Sequence, residues 1–187
     1  MLKRALFVVL LSLPAVAWAV FKPVRVLAPG WVGGVSCVSD RVCLDDASRA
    51  AEAERLYRGA LGFVERALGP FAEEPRVTFC STQGCFRSFG ADKAAGIDVG
   101  DFGIVIGPRG WTPYYVRHEM IHHLQAEKLG VLGSWLSPRW FKEGMAYYLS
   151  ADPRRHLAEP WQRDRARFKA WYERVGREDL WKEARKL

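Results

Sequence analysis

The sequence contains no internal repeat, no low-complexity tract and no C-x2-C pair. The first two absences exclude a repeat architecture and a largely disordered chain, and the third excludes the usual zinc-knuckle sites. Motifs of nucleic-acid-binding domains are also missing, so the net charge of +7 does not indicate a DNA or RNA partner. What remains is a chain of 187 residues, 49% hydrophobic and 26% charged, which is sufficient for one domain with a core.

The N-terminus is typical of an exported protein. Two basic residues precede an apolar run over residues 5–21, and residues 17–19 read Ala-Trp-Ala, an A-x-A cleavage pattern. The same run is at the short limit for crossing a bilayer. Residues 1–21 are therefore predicted to be either a signal peptide or an N-terminal membrane anchor. Residues 22–187 are predicted to form a single extracytoplasmic domain, either periplasmic or secreted.

The cysteines fall in two close pairs, Cys37 with Cys43 and Cys80 with Cys85. An oxidising compartment favours disulfides, whereas free buried thiols would be the expectation in the cytosol. Three connectivities are possible for four cysteines. We expect the two local bonds, because the members of each pair are close in sequence.

The most informative stretch is residues 118–122, which read His-Glu-Met-Ile-His, an H-E-x-x-H pattern. On a helix, residues four apart leave the same face one turn apart, so His118 and His122 can offer two nitrogen ligands to one Zn²⁺. Glu119 would lie beside this face, where a carboxylate can act as general base on a zinc-bound water. A solvated polar stripe on a helix is the alternative interpretation of these residues.

A third protein ligand must come from elsewhere. Gln125 and Lys128 occupy the positions of the Gly and the third His in the longer metzincin pattern, so that pattern is not present. Further along, residues 138–146 read Pro-Arg-Trp-Phe-Lys-Glu-Gly-Met-Ala. Together with H-E-x-x-H, this stretch resembles the gluzincin zinc metallopeptidases, the thermolysin- and aminopeptidase-like group. In these the third ligand is a Glu on a following helix, often inside a W-x-x-E-G-x-A-like segment. The resemblance covers mainly residues 102–150.

The resemblance implies roles for individual residues. His118, His122 and Glu143 would hold Zn²⁺, and Glu119 would be the catalytic carboxylate. Tyr147 stands where some gluzincins carry an Asp that supports a ligand His, so this support must be built differently here. The tetrahedral oxyanion needs a second electrophile besides the metal. The nearby candidates are four tyrosines: Tyr114, Tyr115, Tyr147 and Tyr148.

The resemblance also implies a sheet edge that pairs with the extended backbone of a peptide substrate. The candidate is the stretch just before the H-E-x-x-H helix, residues 103–107, and an ordinary core strand is the alternative. Gly103, Ile104 and Val105, together with Tyr147, are therefore the predicted substrate contacts.

Local patterns predict a small α+β domain in which a short sheet packs on the H-E-x-x-H helix and the following Glu-bearing helix, with a helical C-terminus as cover. The gluzincin resemblance implies that this domain is zincin-like. Helices are predicted over residues 46–68, 113–129 and 139–150, and strands over residues 76–80 and 102–106. Gly144, inside the third helix, is unfavourable by about 1 kcal/mol relative to Ala. Such a residue indicates close approach of another backbone, for which the H-E-x-x-H helix is the expected partner.

Three functions are compatible with these residues. The first, which we expect, is a zinc metallopeptidase that hydrolyses a peptide or protein substrate. The second is a zinc-binding but non-catalytic interaction or regulatory module at the cell envelope, which the small size of the domain favours. The third is a basic interaction domain, associated with a membrane through its N-terminus or its basic surface, in which H-E-x-x-H is accidental.

Overall fold

The structure is a computed structural model that describes residue 18 and residues 20–187. The signal-peptide or anchor prediction concerns residues 1–21 and lies almost entirely outside the described residues. Among the helices that are described, none combines the length and the hydrophobicity that a membrane span requires.

The described chain forms an α+β fold, as predicted. Its strands are β1 (Ser36–Cys37), β2 (Val42–Leu44), β3 (Val77–Phe79), β4 (Gly96–Asp98) and β5 (Ile104–Ile106). Its α-helices are α1 (Ala50–Leu68), α2 (Gln83–Ser88), α3 (Pro113–Leu129), α4 (Val131–Leu136), α5 (Arg139–Leu149) and α6 (Trp161–Ala184). Short 3-10 turns cover Lys22–Leu27, Pro29–Trp31 and Ala47–Arg49.

The strands of the described chain form one sheet in the order β1-β2-β3-β5-β4. β2, β3 and β5 are parallel, and the edge strands β1 and β4 are antiparallel to their neighbours. The three central strands consist almost entirely of apolar residues and are buried throughout, because both faces of the sheet are covered. One face packs on α1 and α3, and the other packs on α2 and the N-terminal 3-10 turns.

Both predicted disulfides are present. Cys37 and Cys43 are direct partners in the β1–β2 register, so their bond joins the two strands. The bond between Cys80 and Cys85 joins the end of β3 to α2. Two disulfides are consistent with an extracytoplasmic location.

The prediction that residues 103–107 form a sheet edge is wrong. β5 lies between β3 and β4, so both of its hydrogen-bonding edges are used within the sheet. Ile104 and Val105 are 1% and 0% exposed, and Gly103 lies against Val26. The edge is formed by β4, a three-residue strand that is too short to show an alternating pattern in the sequence.

Helix α3, which carries the H-E-x-x-H residues, has the predicted bounds. Pro113 suits the first helical position because it has no amide hydrogen to leave unpaired. Gly130 ends the helix with φ of 77°, a left-handed conformation that favours glycine. Val116, Met120 and Leu124 are fully buried, and they fix which face of α3 is turned away from the core.

Gly144 brings α5 against α6, not against α3 as predicted. A Cβ atom on Gly144 would lie 2.3 Å from the Asp164 carbonyl oxygen and 2.7 Å from Phe168 Cβ. An ion pair of 2.7 Å between Arg139 and Asp164 joins the same two helices. The close backbone approach is therefore real, and its partner is the C-terminal helix.

We expect Gly144→Ala to lower the free energy of unfolding by about 3 kcal/mol, the upper end of the usual overpacking range, because the added methyl group meets a backbone carbonyl. The matched control is Gly59→Ala on α1, where a Cβ atom would meet nothing within 4 Å. This control should raise stability by roughly 0.5–1 kcal/mol through helix propensity. Urea unfolding followed by circular dichroism measures both changes, and equal midpoints for the two variants would contradict the helix contact.

Candidate metal centre

His118, His122 and Glu143 come together between α3 and α5, and their ligand atoms all lie within 4.8 Å of one another. His118 Nε2 lies 3.1 Å from His122 Nε2. Glu143 Oε2 lies 3.6 Å from His118 Nε2, and Glu143 Oε1 lies 3.7 Å from His122 Nε2. Two tetrahedral ligands about 2.1 Å from a zinc ion would be about 3.4 Å apart. The spacing therefore fits a group that can hold one metal ion.

The orientation of His122 is set by Gln125. Gln125 Nε2 donates a hydrogen bond of 3.1 Å to the Lys142 carbonyl oxygen, which turns the amide oxygen toward His122. His122 Nδ1 lies 2.9 Å from this oxygen and must donate to it, because the oxygen carries no hydrogen. When the imidazole is neutral, as metal binding requires, its lone pair is on Nε2, which faces His118 and Glu143. Gln125 also ties α3 to α5 one residue before Glu143.

The other imidazole packs against Tyr147. The ring centroids of His118 and Tyr147 are 4.5 Å apart in an edge-on arrangement. Burial raises the pKa of the Tyr147 hydroxyl to about 12, with a further contribution from Glu143, so the hydroxyl keeps its proton at neutral pH. Of the four tyrosines considered from the sequence, Tyr115 and Tyr147 line the cavity at the site.

Glu119 lies beside the imidazoles and against strand β4. A Cβ atom on Gly96 would lie 2.7 Å from Glu119 Cγ and 3.0 Å from both Cδ and Oε1. Any side chain at residue 96 would therefore collide with Glu119, and the glycine leaves room for it. Among the described residues, no hydrogen-bond or ion-pair partner holds the Glu119 carboxylate, which lines the cavity.

The two glutamates of the site differ in electrostatic environment. Burial, opposed by His122 and reinforced by Asp98 and Glu143, raises the pKa of Glu119 to about 8. Burial alone would also raise the pKa of Glu143, but the contacts with His118 and His122 outweigh it and hold this pKa well below its usual range. Glu143 therefore stays ionised, as a metal ligand must. A cation bound beside Glu119 would lower the raised pKa of this carboxyl toward the ionised form that a base needs.

His123 ties strand β4 to helix α3. It follows His122 directly, but its side chain points to β4 and does not join the triad. His123 Nδ1 lies 3.2 Å from Asp98 Oδ1, and the two side chains are 6% and 10% exposed. This buried pair fixes β4 beside Glu119.

These groups line a cavity of about 670 Å³. Helix α3 forms its floor. One wall, the β4 wall, consists of β4, the loop before it and Arg109 just after β5, and α5 forms the other wall. Of the four predicted substrate contacts, Tyr147 lines the cavity, whereas Gly103, Ile104 and Val105 do not. Sequence reasoning missed the residues of the β4 wall, which no local pattern marks: Lys93, Ala94, Ala95, Gly96, Ile97, Asp98 and Arg109.

We expect Gly96→Ala to displace Glu119 by about 1 Å and lower any hydrolytic kcat/KM by about 100-fold, while metal content is unchanged. The backbone of Gly96 is outside the left-handed region, so the effect is steric alone. Gly84→Ala on α2 is the control, because its Cβ atom would meet only Thr82 Oγ1 at 3.9 Å. Steady-state kinetics and metal analysis check both variants. Full activity in Gly96→Ala would show that the position of Glu119 is unimportant.

The H-E-x-x-H helix and the helix carrying Glu143 are the features through which the chain resembles the gluzincins. The structure places both around one candidate metal site. In comparisons with known proteins, no protein-family model matches the sequence, and no curated protein or solved structure is significantly similar to it.

Proposed function

We propose that this protein is a zinc-dependent peptidase of the gluzincin type with a zincin-like fold. His118, His122 and Glu143 are its metal ligands and Glu119 is its general base. The observation that carries the proposal is the convergence of three ligand atoms in an open cavity, beside a carboxylate that has no hydrogen-bond or ion-pair partner among the described residues. Structural zinc sites have four protein ligands, whereas catalytic sites have three. The described residues supply three.

The donor set suits zinc, which binds imidazole nitrogen and carboxylate oxygen. His122 is prepared for this role because Gln125 accepts the Nδ1 hydrogen and leaves Nε2 free to coordinate. When bound, zinc would act as a Lewis acid that lowers the pKa of water and polarises a carbonyl group.

Glu119 is positioned to move the proton. Its carboxylate is beside the imidazoles and open to the cavity, so it can accept a proton from the attacking water and return it to the leaving amine. Tyr115 and Tyr147 line the same cavity, and their protonated hydroxyls can donate hydrogen bonds to the oxyanion.

Strand β4 supports a peptide as the substrate. It is an edge strand of the sheet, and Gly96, Ile97 and Asp98 all line the cavity. An extended peptide can add to such an edge through main-chain hydrogen bonds. Because Gly96 contacts Glu119, the backbone of a peptide bound there would pass beside the general base.

The two disulfides support an enzyme that works in an oxidising compartment. The substrate would then be a peptide or protein of the cell envelope or its surroundings.

Metal analysis of the purified protein, followed by cleavage profiling of a peptide library, tests the proposal. We expect one zinc ion per chain, and cleavage that a chelator abolishes and added zinc restores. Stoichiometric zinc without cleavage of any peptide would favour the non-catalytic metal-binding module. Absence of stoichiometric zinc at neutral pH would favour the basic, membrane-associated domain.

A further inference from the structure

The cavity carries three cationic side chains that the proposed mechanism does not use: Lys93, Arg109 and Lys142. Within residues 20–187, no carboxylate forms an ion pair with any of the three. Lys93 and Arg109 belong to the β4 wall, and Lys142 belongs to the α5 wall. The open space between the walls therefore faces positive charge from both sides.

The acidic groups nearby are already engaged, with the exception of the proposed base Glu119. Asp98 pairs with His123, and Glu143 lies between the two ligand imidazoles. Asp92 directly precedes Lys93, but its carboxylate pairs with Arg87 at 2.6 Å and also accepts a hydrogen bond from Gln83. None of these carboxylates neutralises the cations that face the cavity.

The Arg109 side chain meets the Lys93 backbone just before β4. The Arg109 guanidinium donates a hydrogen bond to the Lys93 carbonyl oxygen, which anchors it over the loop before the strand. Both residues are exposed and line the cavity, so their two like charges raise the local potential there and stabilise an anion. A guanidinium can also bind a carboxylate through two parallel hydrogen bonds.

The distance between Lys93 and the proposed general base Glu119 is limited by the number of residues between Lys93 and Gly96. Gly96, which contacts Glu119, is three residues from Lys93 and so at most about 10 Å away. An extended peptide on β4 advances about 3.3 Å per residue. A group bound by Lys93 and Arg109 would therefore lie within about three residues of the bond beside Glu119.

We infer that the cavity selects acidic peptides, with a substrate carboxylate held by Lys93 and Arg109 within about three residues of the cleaved bond. Lys142 adds positive potential from the opposite wall. The inference rests on the proposed peptidase function and specifies its substrate class. An Asp or Glu side chain and a free C-terminus offer the same carboxylate chemistry, and the test separates these two sources.

Matched peptides provide the test. An eight-residue fluorescent parent peptide is compared with versions that carry Glu or its neutral counterpart Gln at each position, each with a free or an amidated C-terminus. Affinity is measured by anisotropy on the zinc-loaded Glu119→Gln protein, and kcat/KM is measured on the unmodified protein. We expect about a tenfold preference for the carboxylate, the size of one charge-assisted contact, and a smaller preference at high salt.

A preference for internal Glu in amidated peptides would assign the carboxylate to a side chain, and a preference for the free terminus would assign it to the chain end. Lys93→Glu should abolish either preference, and so should the milder Arg109→Gln if the first variant folds poorly. Lys182→Glu is the matched control: it changes the net charge as Lys93→Glu does, but lies on α6 beside Asp179. It should keep the preference.

Equal affinity and equal kcat/KM for Glu and Gln peptides would overturn the inference while leaving the peptidase proposal standing. A preference that survives in Lys93→Glu and in Arg109→Gln would also overturn it. Tighter binding of carboxylate peptides, without cleavage of any of them by the unmodified protein, would separate the two proposals in the other direction. The charge selectivity would then stand and the peptidase proposal would fail.

Discussion

Replacing Glu119 by Gln is expected to lower peptide hydrolysis by roughly 100- to 10,000-fold, the range that a general base contributes. The amide has nearly the size of the carboxylate, so it fits in the space that Gly96 leaves. It cannot accept the proton of the attacking water. Because Glu119 is not one of the three converging ligands, the zinc content should stay at its original value. The measurements are kcat/KM on one cleaved peptide and metal analysis of the same preparation.

The matched control for this change is Glu127→Gln, two turns further along α3. The Glu127 carboxylate pairs with Lys128 at 3.0 Å and accepts a hydrogen bond of 2.8 Å from the Ala72 amide, away from the cavity. This variant should retain its activity. Hydrolysis at the original rate in Glu119→Gln would remove this residue from the mechanism, and loss of zinc would show that it is a ligand.

Features encoded within one element could be predicted from the sequence. The bounds of α3 follow from Pro113 and Gly130, and its buried face follows from Val116, Met120 and Leu124. The shared direction of His118 and His122 follows from helical geometry alone. The two disulfides could also be predicted, because the cysteines of each bond are only five or six positions apart in the chain.

Features that depend on which elements meet could not be predicted in the same way. Strand β4 has three residues, and it is a strand only because it pairs with β5 and because Asp98 contacts His123. β5 is the strand just before α3 and consists of three apolar residues, so the gluzincin resemblance placed the edge there wrongly. Gly144 indicated a close backbone contact, but a small residue does not identify its partner, and the partner proved to be α6.

The approach of Glu143 to α3 could be predicted only in part. Its role was implied by the gluzincin resemblance, and its position depends on the packing of two helices. Gln125 contributes by joining α3 to the Lys142 carbonyl, directly before Glu143. Gly144, the residue after Glu143, has no side chain, and this allows α6 to pack closely against α5. The position of Glu143 thus depends on the contact of α5 with α3 and on its contact with α6. The sequence motif indicates only the contact with α3.

Replacing Glu143 by Gln is expected to abolish tight zinc binding and, with it, hydrolysis. The change removes the single negative charge among the three ligands and leaves an amide, which zinc binds poorly. The loss of affinity should exceed the roughly 10- to 100-fold that follows loss of a supporting group such as Gln125. Calorimetric titration with zinc measures it directly.

Thermal unfolding gives an independent measure of the same change. Free zinc at 100 times its Kd should stabilise the original protein by about 2.7 kcal/mol, a rise in Tm of roughly 5 to 11 °C for a chain of this size. At the same zinc concentration Glu143→Gln should show no rise. Glu173→Gln, on the exposed part of α6 beside Lys169, should respond as the original protein does. An unchanged zinc affinity in Glu143→Gln would exclude this carboxylate from the metal site. The two histidines would then lack a third protein ligand among the described residues, and the peptidase proposal would fail with it.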